Sequence, residues 1–305
     1  MLSERLKTAI PVIALITAIF VAPMRYSAWL FAVLSVIVLY LAIDEAFSLL
    51  KPKFRVIHQL IFMALGELLL LMECAKYLAP NKMTNLLITA RPALIMLALL
   101  CSFAFTFAHK QDKETVNGIL ASIGIAAFII WPLILLLRVF YLPVPAMLPV
   151  PWKSNEPRLL LAYIIIVTKA ADCGAYFIGS ATARRPGGNH RLSPLVSPKK
   201  SWEGLIGGTI FSLAASLIIL KLNGWELTYL NKDLNKVVIN WIDAIIIGIA
   251  ASVIGLIGDL AESAIKRAAD EKDSGHLPGI GGILDMLDSL LPMGPLFYAY
   301  LMIRH

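Results

Sequence analysis

Charged residues are scarce in this chain, and their scarcity argues against an ordinary soluble fold. Only 15% of the 305 residues are charged and 59% are hydrophobic, whereas a soluble domain has about 25% charged residues. Cysteines are also few: Cys74, Cys101 and Cys173 lie in or beside apolar runs, so no disulfide framework is predicted. The apolar runs lack the strict alternation of a transmembrane β-barrel. The predicted fold class is an all-α polytopic integral membrane protein.

The hydrophobic residues form blocks that predict about nine transmembrane helices. Each block is long enough, or nearly so, to cross a hydrocarbon layer of about 30 Å, which takes about 20 helical residues. The predicted spans cover residues 8–23, 28–50, 56–73, 92–108, 118–140, 158–179, 203–221, 242–262 and 286–303. The first is interpreted as a retained anchor because no small-residue cleavage site accompanies it. About five spans form an N-terminal region, 1–155, and the others form a C-terminal catalytic region, 156–305.

The positive charge of the chain is explained better by a membrane than by nucleic acid. The formal net charge is +7, but the lysines and arginines are spread over many short loops rather than gathered on one face. Anionic lipid and membrane topology account for such a distribution. A modest excess of Lys and Arg on the N-terminal tail and even-numbered loops favours a cytoplasmic N-terminus. No nucleic-acid partner is predicted.

Polar residues of the C-terminal half are concentrated in three segments, 168–179, 193–208 and 258–289. In the last segment, Asp259 and Glu262 are three residues apart at the end of one span, and Asp285 and Asp288 are three apart at the start of the next. Each pair is therefore expected on one helix face. Magnesium takes carboxylate oxygens and substrate phosphates as ligands. The segment thus predicts a metal site for phosphoryl chemistry.

Basic residues and glycines in the same segment predict phosphate binding. The basic residues are Lys266, Arg267 and Lys272. Gly279, Gly281 and Gly282 precede a helix whose N-terminal N–H groups favour an anion. The alternative is an ordinary turn, with Asp285 and Asp288 merely suiting the helix dipole. For the whole segment a functional role is favoured, because ionisable residues at membrane depth are costly.

The segment from Ser197 to Gly204 places two adjacent lysines before the seventh predicted span. Lys199 and Lys200 are suited to bind a triphosphate or a lipid head group. Ser197 or Ser201 is predicted to start the helix, with Glu203 in its first turn. Taken alone, however, the segment favours an ordinary positively charged cytoplasmic flank.

Lys169 and Asp172 are three residues apart within the sixth predicted span and are expected to form a pair. Such a pair either fixes helix packing or lines a substrate cavity, and the cavity is the preferred interpretation. Four acidic residues also lie in or at the ends of N-terminal spans, namely Asp44, Glu45, Glu67 and Glu73. They are second-tier candidates.

The motifs of the C-terminal half resemble the signature of the phosphatidate cytidylyltransferase family, also called CDP-diacylglycerol synthases. The resemblance extends to the order of the motifs and nearly to their spacing. The matching residues are Ser263-x-Ile265-Lys266-Arg267, Lys272-Asp273-x-Gly275 and Pro278-Gly279-x-Gly281-Gly282-x-x-Asp285-x-x-Asp288. Segments 172–179, 197–204 and 258–263 are also similar to family motifs. The N-terminal half matches only in its run of spans. Ile280 and Met286 depart from the signature, which has His and Arg there, and the turn after Gly275 is one residue shorter.

The resemblance implies transfer of a cytidylyl group from CTP to phosphatidate, which gives CDP-diacylglycerol and pyrophosphate for phospholipid biosynthesis. It implies magnesium held by Asp259 and Asp285, supported by Asp288, and leaves open a second cation such as K⁺. The implied catalytic residues are Asp259, Lys266, Asp285 and Asp288. The implied substrate-binding or phosphate-binding residues are Lys199, Lys200, Arg267, Lys272, Asp273, Gly281, Gly282 and Asp172. The expected location is the cell membrane, with the active site facing the cytoplasm, and a homodimer is left open.

Three alternatives remain open at this point. The first is a membrane lipid kinase of the polyprenol or phytol type. The second is an ion-coupled secondary transporter that uses Lys169, Asp172 and Asp259, although such transporters often have repeated halves and no internal repeat is found in the sequence. The third is a catalytically inactive scaffold, which rests only on Ile280 and Met286.

Overall fold

α-Helices dominate the computed structural model, which describes residues 14–50, 52–108, 113–142, 157–230, 236–271 and 282–304. The helices are α1 (14–21), α2 (Met24–Ser48), α3 (Pro52–Leu78), α4 (Lys82–Thr89), α5 (Arg91–Phe107), α6 (Lys113–Phe140), α7 (Pro157–Ala183), α8 (Trp202–Leu222), α9 (Trp241–Ala268), α10 (Ile283–Leu287) and α11 (Leu290–Ile303). The predicted all-α polytopic membrane fold is confirmed.

Among the described residues, seven helical stretches are long and apolar enough to cross a membrane. They are Tyr26–Ser48, Val56–Leu78, Val116–Phe140, Pro157–Ala183, Trp202–Leu222, Trp241–Ala268 and Ile283–Ile303. A bent pair, α4 with α5, raises the number to eight if it forms one span. The predicted count of nine is not confirmed, because the first predicted span lies partly outside the described residues and only α1 represents it.

The predicted span 92–108 is preceded by an additional short helix. α4 is capped by Asn81, whose side chain accepts from the Thr84 N–H at 2.8 Å while the Thr84 hydroxyl accepts from the Asn81 N–H at 2.9 Å. α5 then starts at Arg91 with Pro92 in its first turn, and the two helix axes differ by 45°. The break is explained by Pro92, which has no N–H to donate to the preceding turn and restricts the residue before it.

Two antiparallel β-hairpins join helices of the C-terminal half, and neither was predicted. Strand β1 (Arg191–Ser193) pairs with β2 (Ser197–Ser201), and β3 (Leu227–Leu230) pairs with β4 (Lys236–Ile239). The first hairpin is held against the end of α7, because the Asn189 side chain donates to the Gly179 carbonyl at 2.7 Å and to the Ser201 hydroxyl at 3.2 Å. This contact fixes the strand that carries Lys199 and Lys200.

The helices form two units that are both discontinuous in sequence. The first unit comprises Met1–Ile134 and Ala268–Met286, and the second comprises Leu135–Arg267 and Leu287–His305. The division of the chain into regions 1–155 and 156–305 stays a prediction.

Polar side chains connect helices within the first unit. The buried His58 on α3 is hydrogen-bonded through Nδ1 to the Ser102 hydroxyl at 2.6 Å and through Nε2 to the Thr106 hydroxyl at 3.2 Å, both on α5. Glu73 on α3 is fully buried and forms an ion pair with Arg91. Such contacts help to join helices in a membrane. Lipid is as apolar as the side chains, so the hydrophobic effect does not drive the helices together there.

In the second unit, α7 and α8 pack so closely that glycine is required at the contact. A Cβ atom on Gly207 would lie 2.9 Å from the Gly174 carbonyl oxygen, and a Cβ on Gly174 would lie 2.6 Å from the Gly207 carbonyl oxygen. Small residues at helix contacts are typical of membrane proteins. Helix α8 is joined to α9 by hydroxyl groups: Ser212 donates to the Gly248 carbonyl and Ser216 to the Ala244 carbonyl, each at 2.7 Å.

A second close approach brings the turn before α11 against α9. A Cβ atom on Gly258 would overlap the carbonyl oxygen of Asp288 and would lie 2.6 Å from the ring of Pro292. One turn earlier, a Cβ on Gly255 would lie 3.3 Å from the Ser289 Cβ. The two glycines therefore allow the backbone at residues 288–289 to lie directly on α9.

We expect Gly258→Ala to destabilise the protein, because the added methyl group overlaps backbone that has no room to move. Overpacking of this kind costs about 1–3 kcal/mol. Thermal unfolding of the purified protein in detergent measures the effect as a lower Tm. Gly124→Ala in α6 is the control, since a Cβ there meets nothing within 4 Å and alanine favours helix. Equal Tm values for the two variants would contradict the close contact.

Candidate functional site

Three carboxylates of the second unit converge at the end of α9. One oxygen each of Asp259, Glu262 and Asp288 lies within 4.8 Å of the others. Glu262 is 1% exposed and Asp288 is 8% exposed, whereas Asp259 is half-buried. We refer to these three residues as the acidic cluster. The prediction that Asp259 and Glu262 share a helix face is confirmed.

Asp288 reaches the acidic cluster from a turn rather than from a helix. The predicted span 286–303 is interrupted: α10 ends at Leu287, and α11 begins at Leu290. In the turn, the Ser289 N–H donates to Asp288 Oδ1 at 2.6 Å. A side-chain acceptor of this kind competes with the helical hydrogen bond of the same N–H group. Residues Ile283–Ile303 nevertheless form one apolar span, in which Asp288 and Ser289 adopt a turn. The expectation that Asp285 and Asp288 share one helix face stays a prediction.

Two lysines lie against the acidic cluster. Lys200 on β2 forms an ion pair and hydrogen bond with Asp259, and Lys266 Nζ lies 2.9 Å from Glu262 Oε2, one helical turn further along α9. The motif segments that carry Lys200 and Asp259 are thus brought together, as predicted. Each of these two carboxylates has an ammonium group as a neighbour, so the local charge is largely balanced.

A hydrogen-bonded group behind Asp288 joins α7 to the same turn. Lys169 Nζ donates to Asp172 Oδ2 at 2.9 Å and to the Ser289 hydroxyl at 2.8 Å. The Ser289 hydroxyl also donates to Asp172 Oδ2 at 2.8 Å. The predicted Lys169–Asp172 pair is confirmed, and it orients the residue whose N–H holds the Asp288 carboxylate. Sequence reasoning missed Ser289, although it directly follows the last aspartate of the signature.

In the first unit, the start of α10 is capped by carboxylates of the protein. Glu45 Oε1 accepts from the Ile283 N–H and Glu45 Oε2 from the Leu284 N–H, each at 2.9 Å. The Gly282 N–H donates to Asp285 Oδ2 at 3.3 Å. These N–H groups were expected to receive a phosphate, but each already has an anionic acceptor. Phosphate binding by Gly282 stays a prediction. The carboxylates that already accept from these N–H groups make such binding less favourable.

The other predicted site residues are dispersed over both units. Asp285 belongs to the first unit and is not a member of the acidic cluster, so its metal-binding role stays a prediction. Lys199 is exposed on β2, and Arg267 is exposed at the end of α9. Lys272, Asp273 and Gly281 lie outside the described residues. Glu262, which was noted only as the partner of Asp259 on its helix face, is a full member of the acidic cluster.

The sequence matches the model of the cytidylyltransferase family over residues 3–304. It is similar to the phosphatidate cytidylyltransferase of Haemophilus influenzae, with 42% identity over 139 residues that cover 45% of this chain and 44% of that relative. The phosphatidate cytidylyltransferase of Bacillus subtilis is 38% identical over 137 residues, which cover 45% of each chain. The uncharacterized protein YnbB of Escherichia coli is 38% identical over 144 residues, covering 47% of this chain and 42% of that one. The chain thus spans less than half the length of these curated relatives.

We expect Lys266→Met to destabilise the protein by about 3 kcal/mol, because it removes the ammonium group beside the buried Glu262 carboxylate. The double variant Lys266→Met/Glu262→Gln has neither charge and is expected to recover most of the loss. Tm measurements on the wild type, both single variants and the double variant give the coupling between the two residues. Strictly additive Tm changes would contradict a stabilising ion pair.

Proposed function

Because this chain belongs to the cytidylyltransferase family, we propose that it transfers the cytidylyl group of CTP to phosphatidate and forms CDP-diacylglycerol and pyrophosphate. The observation that carries the proposal is the acidic cluster with its two lysines, at the end of an apolar membrane helix. Carboxylates are suited to hold a divalent cation, and ammonium groups are suited to bind phosphate oxygens, in a reaction between two phosphate groups. The names of the Haemophilus influenzae and Bacillus subtilis relatives agree with this reaction.

In the proposed reaction, a phosphate oxygen of phosphatidate attacks the α-phosphorus of CTP. A new P–O bond forms, the bond to the β-phosphate breaks, and pyrophosphate leaves with its electron pair. The attacking phosphate is already anionic at neutral pH, so the protein needs to position the reactants and to stabilise charge rather than to remove a proton. Lys200 and Lys266 form ion pairs with Asp259 and Glu262 of the acidic cluster, and we assign them to phosphate oxygens of the substrates.

The acidic cluster is suited to a magnesium ion. Three carboxylate oxygens within 4.8 Å of one another are hard donors, and magnesium prefers such donors together with substrate phosphates. Asp259, Glu262 and Asp288 would hold the ion, and the bound ion would neutralise charge on the reacting phosphates. Ligation by Asp285, a second cation such as K⁺ and a homodimer stay predictions of the resemblance.

One substrate of the proposed reaction is a membrane lipid, and the other is soluble in water. Phosphatidate resides in the membrane, whereas CTP is dissolved in the cytoplasm, so we propose a site at the cytoplasmic face of the cell membrane. The modest Lys and Arg bias of the loops agrees with that orientation. The lipid needs a lateral opening between helices to reach such a site from the bilayer.

The first experiment follows the phosphate label from CTP into lipid. Purified protein in detergent receives phosphatidate, magnesium and CTP labelled at either the α- or the γ-phosphate. We expect the α-label in lipid and the γ-label in pyrophosphate. The γ-label in lipid would instead identify a kinase that acts on phosphatidate, and folded protein that transfers no α-label would contradict the proposed reaction.

Asp259→Asn in the same assay is expected to lower turnover at least roughly hundredfold, as loss of a group that stabilises transition-state charge does. Asp270→Asn is the matched control. Asp270 is an exposed residue just beyond α9, with a φ of 59° that asparagine also adopts. Equal turnover by the two variants would exclude Asp259 from the reaction.

The cation assignment is tested without turnover, with Mn²⁺ as the probe. Electron paramagnetic resonance of free Mn²⁺ measures how much the protein binds. We expect Asp288→Asn to weaken binding about tenfold or more, since it removes one of three carboxylate ligands, while Asp270→Asn binds like the wild type. Unchanged binding in Asp288→Asn would place the ion elsewhere.

A further inference from the structure

The buried carboxylate of Glu45 lies far from the signature motifs in sequence, yet it contacts one of them directly. We propose that Glu45 is a positioning residue for the proposed reaction, because it fixes the start of α10, the helix that carries Asp285. The inference rests on the proposed function and extends it to a residue of the N-terminal half. It also gives that half a role beyond membrane anchoring.

The contact is bidentate and sheltered from water. The two oxygens of Glu45 accept from two consecutive N–H groups, those of Ile283 and Leu284, both at 2.9 Å. Glu45 is 8% exposed, and its neighbours Ala46 and Phe47 on α2 are buried as well. Charged acceptors of N–H groups are stronger than neutral ones and are favoured at a helix N-terminus. The carboxylate therefore holds the α10 backbone from a well-packed helix.

A helix as short as α10 depends on such a contact. Five residues do not form a stable helix alone, because the first turn fixes several dihedral angles for a single hydrogen bond. Every helix also begins with N–H groups that lack partners within the helix. Glu45 satisfies two of them, and Asp285 satisfies the N–H of Gly282. Removing the Glu45 carboxylate takes away the two acceptors that α10 receives from another helix.

The conformation of α10 matters because the helix carries one aspartate of the signature and leads directly to another. Asp285 lies in the middle of α10, and Asp288 is the residue after Leu287. Loss of the N-terminal cap frees the dihedral angles of the residues between Gly282 and Asp288. Small displacements of a catalytic group are costly to turnover. We therefore expect Glu45 to act on the rate of the reaction and not on nucleotide binding.

The residue before Glu45 supplies the matched control. Asp44 is on the same helix, and its Oδ1 accepts from the Gln59 side-chain amide of α3 at 2.7 Å. Asp44→Asn and Glu45→Gln each remove one negative charge and preserve the size of the side chain. Of the two residues, Glu45 is the one that is hydrogen-bonded to the α10 backbone.

Amide hydrogen exchange, measured by mass spectrometry on the full chain in detergent, tests the cap directly. In Glu45→Gln we expect the amides of Ile283 and Leu284 to exchange about tenfold faster, because the Gln side chain has one acceptor oxygen where Glu has two. Asp44→Asn should match the wild type in this segment. Unchanged exchange in Glu45→Gln would overturn the proposal, and so would equal acceleration throughout α2 and α3, which indicates general destabilisation.

Turnover separates positioning from a purely structural cap. We expect Glu45→Gln to lower kcat for CDP-diacylglycerol formation about tenfold while the KM for CTP stays within about twofold. Faster exchange with unchanged kcat would overturn the positioning role. A wild type that transfers no cytidylyl group would overturn the proposed function and the positioning role together, while the exchange data would still show whether Glu45 caps α10.

Discussion

A charge placed among apolar helices is costly unless an opposite charge or an N–H group lies beside it, and ion pairs of this kind occur in both units of this protein. In the second unit, Lys200 and Lys266 lie against the acidic cluster. In the first unit, Arg91 neutralises the buried Glu73. The positions of β2, α9 and α5 are thus tied to the charges that they carry.

Close backbone contact is the second requirement of the site. The acidic cluster forms only because Gly258 allows the turn at Asp288 to lie on α9. The same turn is held from the other side by Lys169 and Asp172 of α7 through Ser289. Asp288 is therefore fixed by packing on one side and by hydrogen bonds on the other. A site built in this way is preorganised to stabilise charge, which is the main demand of phosphoryl transfer.

Local periodicity and motif spacing predicted those parts of the structure that depend on neighbouring residues. The shared face of Asp259 and Glu262, the pair formed by Lys169 and Asp172, and the helix start at Ser201, whose hydroxyl accepts from the Gly204 N–H at 3.0 Å, all involve residues three or four apart. The break after Leu287 was not predicted, because helical periodicity gives no sign of the hydrogen bond from the Ser289 N–H to the Asp288 carboxylate. The contact of Glu45 with α10 was equally inaccessible, since no spacing relates residues so distant in the chain.

The cap on α10 also has a consequence for biosynthesis. Ile283 follows Glu45 by 238 residues, so a ribosome adding about 5–20 residues per second completes α2 roughly 10–50 s before the cap can form. During that interval, Glu45 enters the membrane without its eventual N–H donors, and the carboxylate must be hydrated, protonated or held by another partner. The first unit is therefore completed only after helices α7, α8 and α9 of the second unit have been synthesised.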